Sequence, residues 1–146
     1  CIRDSVDLRS NNFNGPIPQE IYSLDHLETL ALSSNDLEGT LSGKIGKLTM
    51  LTNLNLQNDL LYGTLPTQLG RLTSLTNLVL AFNDFSGNII SELGLLTNLS
   101  LLDISESLNK IFWKIPYLTL CSTYKYCPLY IPFLVMIQTM IKALIN

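Results

Sequence analysis

A 24-residue period across the first 106 residues constrains the fold of this chain more than any other feature. One apolar column of this period is Leu8, Leu32, Leu56, Leu80 and Ile104. A glycine column with the same step is Gly15, Gly39, Gly63 and Gly87. Regular periods of this length are typical of stacked repeat architectures. Because one repeat cannot bury its apolar face alone, we expect successive repeats to stack around a continuous core.

Each repeat contains a short segment with alternating polarity. In residues 27–35, LETLALSSN, the side chains of Leu30 and Leu32 are expected on one side and the polar and small ones on the other. This pattern predicts a short strand with one buried face, and the strands of successive repeats are expected to pair in parallel. Residues 65–75 are then predicted to return as short helical or 3₁₀ turns, entered through Pro66.

A polar column follows each predicted strand, at the point where the chain turns inward. Its members are Asn11, Asn35, Asp59 and Asn83. A buried side-chain amide at this position can satisfy backbone groups of its own turn and of the neighbouring one, which predicts a structural ladder. Asp59 departs from the pattern, because a carboxylate accepts hydrogen bonds but cannot donate one unless it is protonated.

These columns resemble plant-type leucine-rich repeats over residues 5–106. The segments LRSNNFNGPIPQEIYSLDHLETL at 8–30 and LQNDLLYGTLPTQLGRLTSLTNL at 56–78 carry the resemblance. It implies an α/β fold, a right-handed solenoid with parallel strands on the concave face and short helical or 3₁₀ turns on the convex face. Members are typically receptor ectodomains or secreted inhibitors that bind peptides, proteins or glycans. Cys1 also resembles the last cysteine of the family's N-terminal cap.

The period predicts two parts, a solenoid of four repeats plus a fifth strand at 1–106 and an irregular tail at 107–146. The tail carries four lysines and no acidic residue, whereas residues 1–106 carry five basic and twelve acidic residues. The longest uncharged run of the tail, 126–141, is sixteen residues long, short of the roughly 20 that span a membrane. A cap-like tail is favoured over a membrane anchor, and an unselected gene end is the third alternative. Cys121 and Cys127 are interpreted as apolar filling rather than a bridge, although the resemblance implies that a cysteine pair often closes the cap.

No catalytic, metal or cofactor motif is evident. Ser23, Asp25 and His26 lie within four consecutive residues, so their side chains diverge and cannot form a catalytic triad. The Gly-Lys pair at 43–44 is followed by Ile45, so the phosphate-loop pattern is not met. The sequence contains one histidine and no protein-kinase motif. We therefore expect neither enzymatic activity nor a cofactor, and the acidic repeats argue against nucleic acid as a partner.

The outward positions of the predicted strands are the candidate binding residues. The selected set is Glu28, Thr29, Ser33, Asn53, Asn55, Gln57, Asn77, Val79, Phe82 and Asp103. Phe82 is the one aromatic residue on this face, so Phe82 with Asn55, Gln57 and Asn77 is the first candidate patch. The alternative is a solvated face with no ligand. Asn98-Leu99-Ser100 is a glycosylation sequon, which gives weak support to an extracellular location.

Together these features predict a non-catalytic module that recognises a protein or a peptide, with a glycan as the alternative ligand. The expected context is a fragment of a cell-surface or secreted receptor-like protein, and membrane association through the tail is the alternative to a cap-like tail. The alternatives are an ectodomain fragment of a receptor-like kinase whose catalytic domain lies elsewhere, or a cytoplasmic scaffold with the same repeats.

Overall fold

The structure is a computed structural model that describes residues 4–107. The expectations for Cys1 and for the tail, including its cap, anchor and cysteines, lie outside the described residues. Within residues 4–107, nine short strands alternate with four 3₁₀ segments, and the strands form two parallel sheets. The predicted α/β solenoid is confirmed, and the structure adds a second sheet to it.

The five strands of the first sheet arise from the alternating segments of the sequence. They are β1 (Ser5–Asp7), β3 (Thr29–Ala31), β5 (Asn53–Asn55), β7 (Asn77–Val79) and β9 (Leu101–Asp103), and they lie side by side in that order. Leu30 pairs with Leu54 and Leu54 with Leu78. The register therefore steps by 24 residues, as the sequence period does. These leucines are fully buried, so a slip of one residue would expose the whole column.

The second sheet is formed by strands that follow each polar turn. They are β2 (Asn14–Gly15), β4 (Asp36–Thr40), β6 (Leu60–Thr64) and β8 (Asp84–Ser86), in that order. This sheet is absent from the sequence-based prediction, because a glycine inside or directly after each segment indicates a turn. The order Asp36, Leu37, Glu38 alternates in polarity and matches the exposed, buried, exposed start of β4. In β6 the same burial pattern is formed by Leu60, Leu61 and Tyr62, so the sequence carries this signal in β4 but not in β6.

Each repeat returns through one 3₁₀ segment of five residues, as the sequence predicts. These segments are Gln19–Ser23, Gly43–Lys47, Thr67–Arg71 and Ser91–Leu95. Pro18 and Pro66 precede the first and third segments with φ values of −58° and −73°, which the proline ring imposes. Neighbouring segments contact one another, so the repeats also stack along this side.

One continuous hydrophobic core connects the repeats. In the inner repeats the leucine columns are buried completely, as at Leu56 and Leu72. The equivalent residues of the first described repeat, Leu8 and Leu24, are 40% and 38% exposed. Burial of each repeat therefore depends on a neighbour on both sides, as in other stacked repeats.

The glycine column is required for both conformation and space. Gly63 has a φ of 82°, in the left-handed region that favours glycine. A Cβ atom there would lie 2.9 Å from Thr40 Cγ2, because the second sheet brings successive repeats close together. A second column has positive φ without glycine: Ser10, Ser34, Asn58, Phe82 and Glu106, with φ between 51° and 60°.

Candidate recognition surface

The structure places the predicted binding residues on the first sheet and in the turns beside it, with different degrees of exposure. Glu28 and Phe82 are exposed. Six side chains are half-buried, namely Thr29, Asn53, Asn55, Gln57, Asn77 and Asp103.

Ser33 and Val79 require a correction, because both were expected to be accessible on the outward face. They are only 7% and 9% exposed. Ser33 lies beside the buried polar column, and its carbonyl accepts the N–H of Ser10 at 3.0 Å. Val79 lies in β7, with Asn55 and Asp103 opposite it on the two flanking strands. Parallel strands lie about 4.8 Å apart, so larger neighbours can cover a short side chain.

Phe82 combines exposure with an unfavourable backbone conformation. Its side chain is 50% exposed, and its φ of 55° places it in the left-handed region. Bulky residues rarely adopt this conformation. The residue lies in the link between β7 and β8, and its N–H donates to the carbonyl of Ser105 at 3.0 Å. Phe82 is therefore held at the border between the two sheets with its ring partly in solvent.

Polar side chains at the ends of β5 and β9 accept hydrogen bonds from the residue two positions later in the chain. Asn55 Oδ1 accepts the N–H of Gln57 at 3.1 Å, and Asp103 Oδ1 accepts the N–H and the hydroxyl of Ser105 at 3.1 and 2.7 Å. These contacts fix the side chains before any ligand arrives. Asn55 retains its amide N–H₂ group as a donor, which suits recognition of a backbone carbonyl.

An exposed ion pair lies at the end of β1, at the edge of this face. The Arg9 guanidinium donates to Asp7 through Nε at 2.8 Å and through Nη2 at 2.6 Å. The hydrogen bonds from Arg9 lower the pKa of Asp7 below its ordinary value. The two charges compensate each other, so this end offers no net charge to a ligand.

The asparagine column forms a ladder of hydrogen bonds beneath the face. Asn83 Nδ2 donates to the carbonyls of Leu56 and Leu80 at 2.6 and 3.2 Å, and its Oδ1 accepts the N–H of Leu61 at 3.1 Å. Asn35, two repeats before Asn83, makes the equivalent contacts. At the first rung, Asn11 is exposed and donates only within its own turn.

Two positions of this ladder depart from asparagine. Asp59 is 6% exposed, and its Oδ1 accepts the N–H of Leu37 at 3.1 Å. Its Oδ2 has no hydrogen-bond partner in the described part of the chain. Burial raises the pKa of Asp59 to about 6. Ser107, one repeat after Asn83, accepts the Asn83 N–H at 3.2 Å and donates to the Leu80 carbonyl.

A second ladder, formed by hydroxyl groups, was not predicted. The hydroxyl of Thr52 donates to the carbonyl of Glu28 at 3.0 Å, that of Thr76 to Thr52 at 2.9 Å, and that of Ser100 to Thr76 at 3.1 Å. Each pair is separated by one repeat. The recurrence of Thr, Thr and Ser at 52, 76 and 100 is the signal in the sequence that would have identified it. The ladder fixes the starts of the strands, and so it holds the face rigid.

Two apolar side chains on the second sheet were also missed. Leu60 and Tyr62 are 57% and 53% exposed on the outer side of β6. The equivalent positions of the next repeat hold Asp84 and Ser86, so the repeat itself does not require apolar residues there.

The residues considered for catalysis lie in solvent. His26 Nε2 is 3.8 Å from Asp25 Oδ1, and their side chains are 75% and 80% exposed. Ser23 ends the adjacent 3₁₀ segment and is also exposed. Among residues 4–107, no group of three His, Cys, Asp or Glu side chains is placed to hold a metal ion. No helix in that range is long and apolar enough to cross a membrane.

The sequon asparagine lies in the turn between the fourth 3₁₀ segment and β9. Asn98 is exposed, and its Nδ2 donates to the carbonyl of Thr73 at 2.8 Å. Leu99 is buried, and the Ser100 hydroxyl belongs to the hydroxyl ladder. Attachment of a glycan to Asn98 would therefore replace a single exposed hydrogen bond.

The two parallel sheets, the asparagine ladder and the 24-residue register define a repeat solenoid. The family described as a leucine-rich repeat region matches residues 6–129. The chain therefore belongs to the leucine-rich-repeat family, of the plant type. No curated protein matches it in sequence.

Solved structures of plant receptors are similar to this chain. The Arabidopsis receptor kinase HAESA, solved with the peptide hormone IDA and the co-receptor SERK1, is 37% identical with a TM-score of 0.69, over 70% of this chain and 18% of that one. A TDR receptor is 34% identical with a TM-score of 0.70, over 72% of this chain and 18% of that one. The ectodomain of the receptor kinase SOBIR1 from Arabidopsis thaliana is 33% identical with a TM-score of 0.68, over 72% of this chain and 58% of that one. The chain thus corresponds to less than two thirds of each of these proteins.

Proposed function

We propose that this chain is a non-catalytic recognition module that binds a protein or peptide through the face of the first sheet. We further propose that it acts at the cell surface or outside the cell, as part of a receptor-like protein. Support comes from similar ectodomains whose structures contain a peptide, such as HAESA with IDA and RGFR1 with RGF2.

The exposed, left-handed Phe82 carries the proposal for this face. A non-glycine residue in this conformation costs about 1–2 kcal/mol, and the ring is only half-buried, so burial offsets little of that cost. The other members of its column are Ser10, Ser34, Asn58 and Glu106, all polar. Strained residues cluster at functional sites, where an observed outlier supports a hypothesis of function. An aromatic ring at this position is therefore better explained by a ligand than by the fold.

The surroundings of Phe82 suit a peptide ligand. Asn77, in β7, is half-buried, and Asn55 and Gln57 contribute polar groups from the preceding repeat. An apolar anchor beside amide donors and acceptors is the usual composition of a binding hot spot and its polar border. Rigid positioning by the two ladders limits the entropy lost on binding.

Selection from a randomised library of displayed 12-residue peptides would test this proposal. The full chain is immobilised, and enriched peptides are then titrated against the wild type and the variants Phe82→Asn and Gln57→Ala. We expect each variant to weaken binding at least tenfold, because Phe82 anchors the ligand and Gln57 borders it. The matched control is His26→Ala, in the exposed turn between the first 3₁₀ segment and β3 and two repeats before Phe82, which should leave the affinity unchanged.

Two results would contradict the proposal. One is failure of the library to yield any peptide that binds the folded chain. The other is a set of peptides that bind wild type and Phe82→Asn equally, which would place recognition elsewhere on the surface.

A further inference from the structure

The outer side of the second sheet carries a second candidate surface, which does not depend on the face of the first sheet. Leu60 and Tyr62 lie two residues apart on β6 and are both more than half exposed. Alternate residues of a strand point to the same side and lie about 6.6 Å apart. The two side chains therefore form one apolar patch.

This patch is flanked by carboxylates on both neighbouring strands. In the sheet register, Glu38 of β4 lies beside Leu60, and Asp84 of β8 lies beside Tyr62. Asp36 is two residues before Glu38 on the same side of β4. All three acidic residues are exposed. We call Asp36, Glu38, Leu60, Tyr62 and Asp84 the lateral face.

The lateral face has no cation of its own among the described residues. The basic residues of that range lie elsewhere: Arg9 is paired with Asp7, and Lys44, Lys47 and Arg71 belong to the 3₁₀ segments. Within residues 4–107, Glu38 and Asp84 form no ion pair. Their negative charge is therefore available to a partner.

We propose that the lateral face docks a cationic segment of a partner protein, in which an apolar side chain is flanked by lysine or arginine. The apolar side chain would cover Leu60 and Tyr62, while the cations would reach Glu38 and Asp84. These two acids lie on strands either side of β6 and are offset by two residues along it, so about 12 Å separates their Cα atoms. A cation can also stack on the Tyr62 ring. Such complementarity raises the association rate and excludes anionic partners.

Side chains rather than backbone must make this contact. Strands β4 and β6 each pair with a strand on both sides, so their backbone groups are already used in the sheet. The partner is therefore expected to lie across the strands and not to add a strand to the sheet.

Fluorescence anisotropy with a defined probe tests the proposal on the full chain. The probe is a labelled nine-residue peptide that alternates lysine and leucine, and the comparison peptide replaces each lysine by glutamate. We expect the lysine peptide to bind with an affinity that falls as salt rises, and the glutamate peptide not to bind. The double variant L60N/Y62N introduces the residue type found at 12 and 14 in the first repeat, so it should fold normally and bind at least tenfold more weakly.

Charge reversal separates docking from general attraction to an acidic protein. The double variant E38K/D84K should abolish binding of the lysine peptide. The matched control E20K/D25K makes the same change in net charge at exposed residues in and beside the first 3₁₀ segment and should change the affinity less than twofold. Phe82→Asn should also leave the affinity for the lysine peptide unchanged. Failure of this proposal can therefore be told apart from failure of the proposed peptide site on the first sheet.

Two outcomes would overturn the proposal. Equal weakening by E38K/D84K and E20K/D25K would show that the peptide responds only to net charge. A dimer in sedimentation that L60N/Y62N abolishes, together with no peptide binding, would assign the lateral face to a second copy of this chain.

Discussion

Replacement of Asp59 by asparagine should stabilise this protein, and the gain should depend on pH. In the ladder, Asn83 donates through Nδ2 to the carbonyls three and 27 residues earlier. The equivalent carbonyls for Asp59 belong to Leu56 and Leu32. An ionised carboxylate has no proton to donate there, and Asp59 Oδ2 is buried without a partner among residues 4–107. Protonation or an amide would supply the missing donor.

The size of the effect follows from the pKa of Asp59. Burial is the main cause of the rise in this pKa from the ordinary value of 3.8 to about 6. Hydrogen bonds from the N–H groups of Leu37 and Asn35 oppose the rise, and the charge of Asp36 adds to it. This difference corresponds to about 3 kcal/mol, at 1.36 kcal/mol for each pKa unit. Because the folded pKa is raised, the stabilising contribution of the protonated form is complete below pH 3.8 and is lost as the pH rises through about 6. At pH 7.5 the wild type therefore carries nearly the whole penalty.

Urea unfolding of the wild type and Asp59→Asn at pH 4.0, 5.0, 6.0 and 7.5 measures this directly. We expect a difference in the free energy of unfolding below about 1 kcal/mol at pH 4.0 and about 2–3 kcal/mol in favour of asparagine at pH 7.5. The control Asp25→Asn removes an acid whose side chain is 80% exposed and should give no such trend. A difference that stays constant across this range would refute the reasoning, because it would separate the stability gain from the titration of Asp59.

Further substitutions test the other features of the solenoid. Phe82→Asn should raise the free energy of unfolding by about 1 kcal/mol, since asparagine tolerates positive φ; no gain in a urea titration would show that the ring is packed by the fold. Gly63→Ala should lower the free energy of unfolding by about 2–3 kcal/mol and Gly15→Ala by about 1–2 kcal/mol. Of these two changes, only Gly63→Ala would press a Cβ against a threonine methyl, at 2.9 Å. Equal losses of stability on thermal unfolding would count against this close approach. Asn83→Ala should lower the free energy of unfolding by about 2–4 kcal/mol, since it leaves buried backbone groups unpaired. A loss of stability below about 1 kcal/mol would contradict a structural role for the ladder. Expression through the secretory pathway of a eukaryotic cell should add a glycan at Asn98, seen by mass spectrometry and removed by Asn98→Gln; an unmodified secreted chain would refute this.

The sequence period determines the first sheet because every inner repeat places the same residue type in the same environment. Leu30, Leu54 and Leu78 recur at 24-residue steps and pair in the sheet at the same steps. The second sheet has a register of 22 residues, as in the pairing of Gly63 with Phe85. Its strands slide by two residues against the repeat, and no column of identical residues reports that offset.

The candidate surface was harder to predict than the core. Alternation alone assigns Val79 to the outward side, but exposure depends on the size of the neighbours at Asn55 and Asp103. The left-handed conformation of Phe82 is also invisible in its own identity, because a phenylalanine gives no local signal for positive φ. Only alignment with Ser10, Ser34 and Asn58, residue types that occur readily in turns, indicates it. Position within the repeat was therefore more informative than residue type.

The hydrogen bonds that join the repeats have a consequence for how chains of this kind can change in length. The ladder bonds connect residues 22, 24 or 27 apart, so each reaches no further than an adjacent repeat. Removal of residues 48–71 would join Lys47 to Leu72 and would place every later column in register with the earlier ones. A loss of 23 or 25 residues would instead leave the junction one residue too long or too short, so the repeats on its two sides could stay in register only by distorting the link between them. Whole repeats can thus be gained or lost as units, and the size of the binding surface can vary in steps while the fold that supports it stays the same.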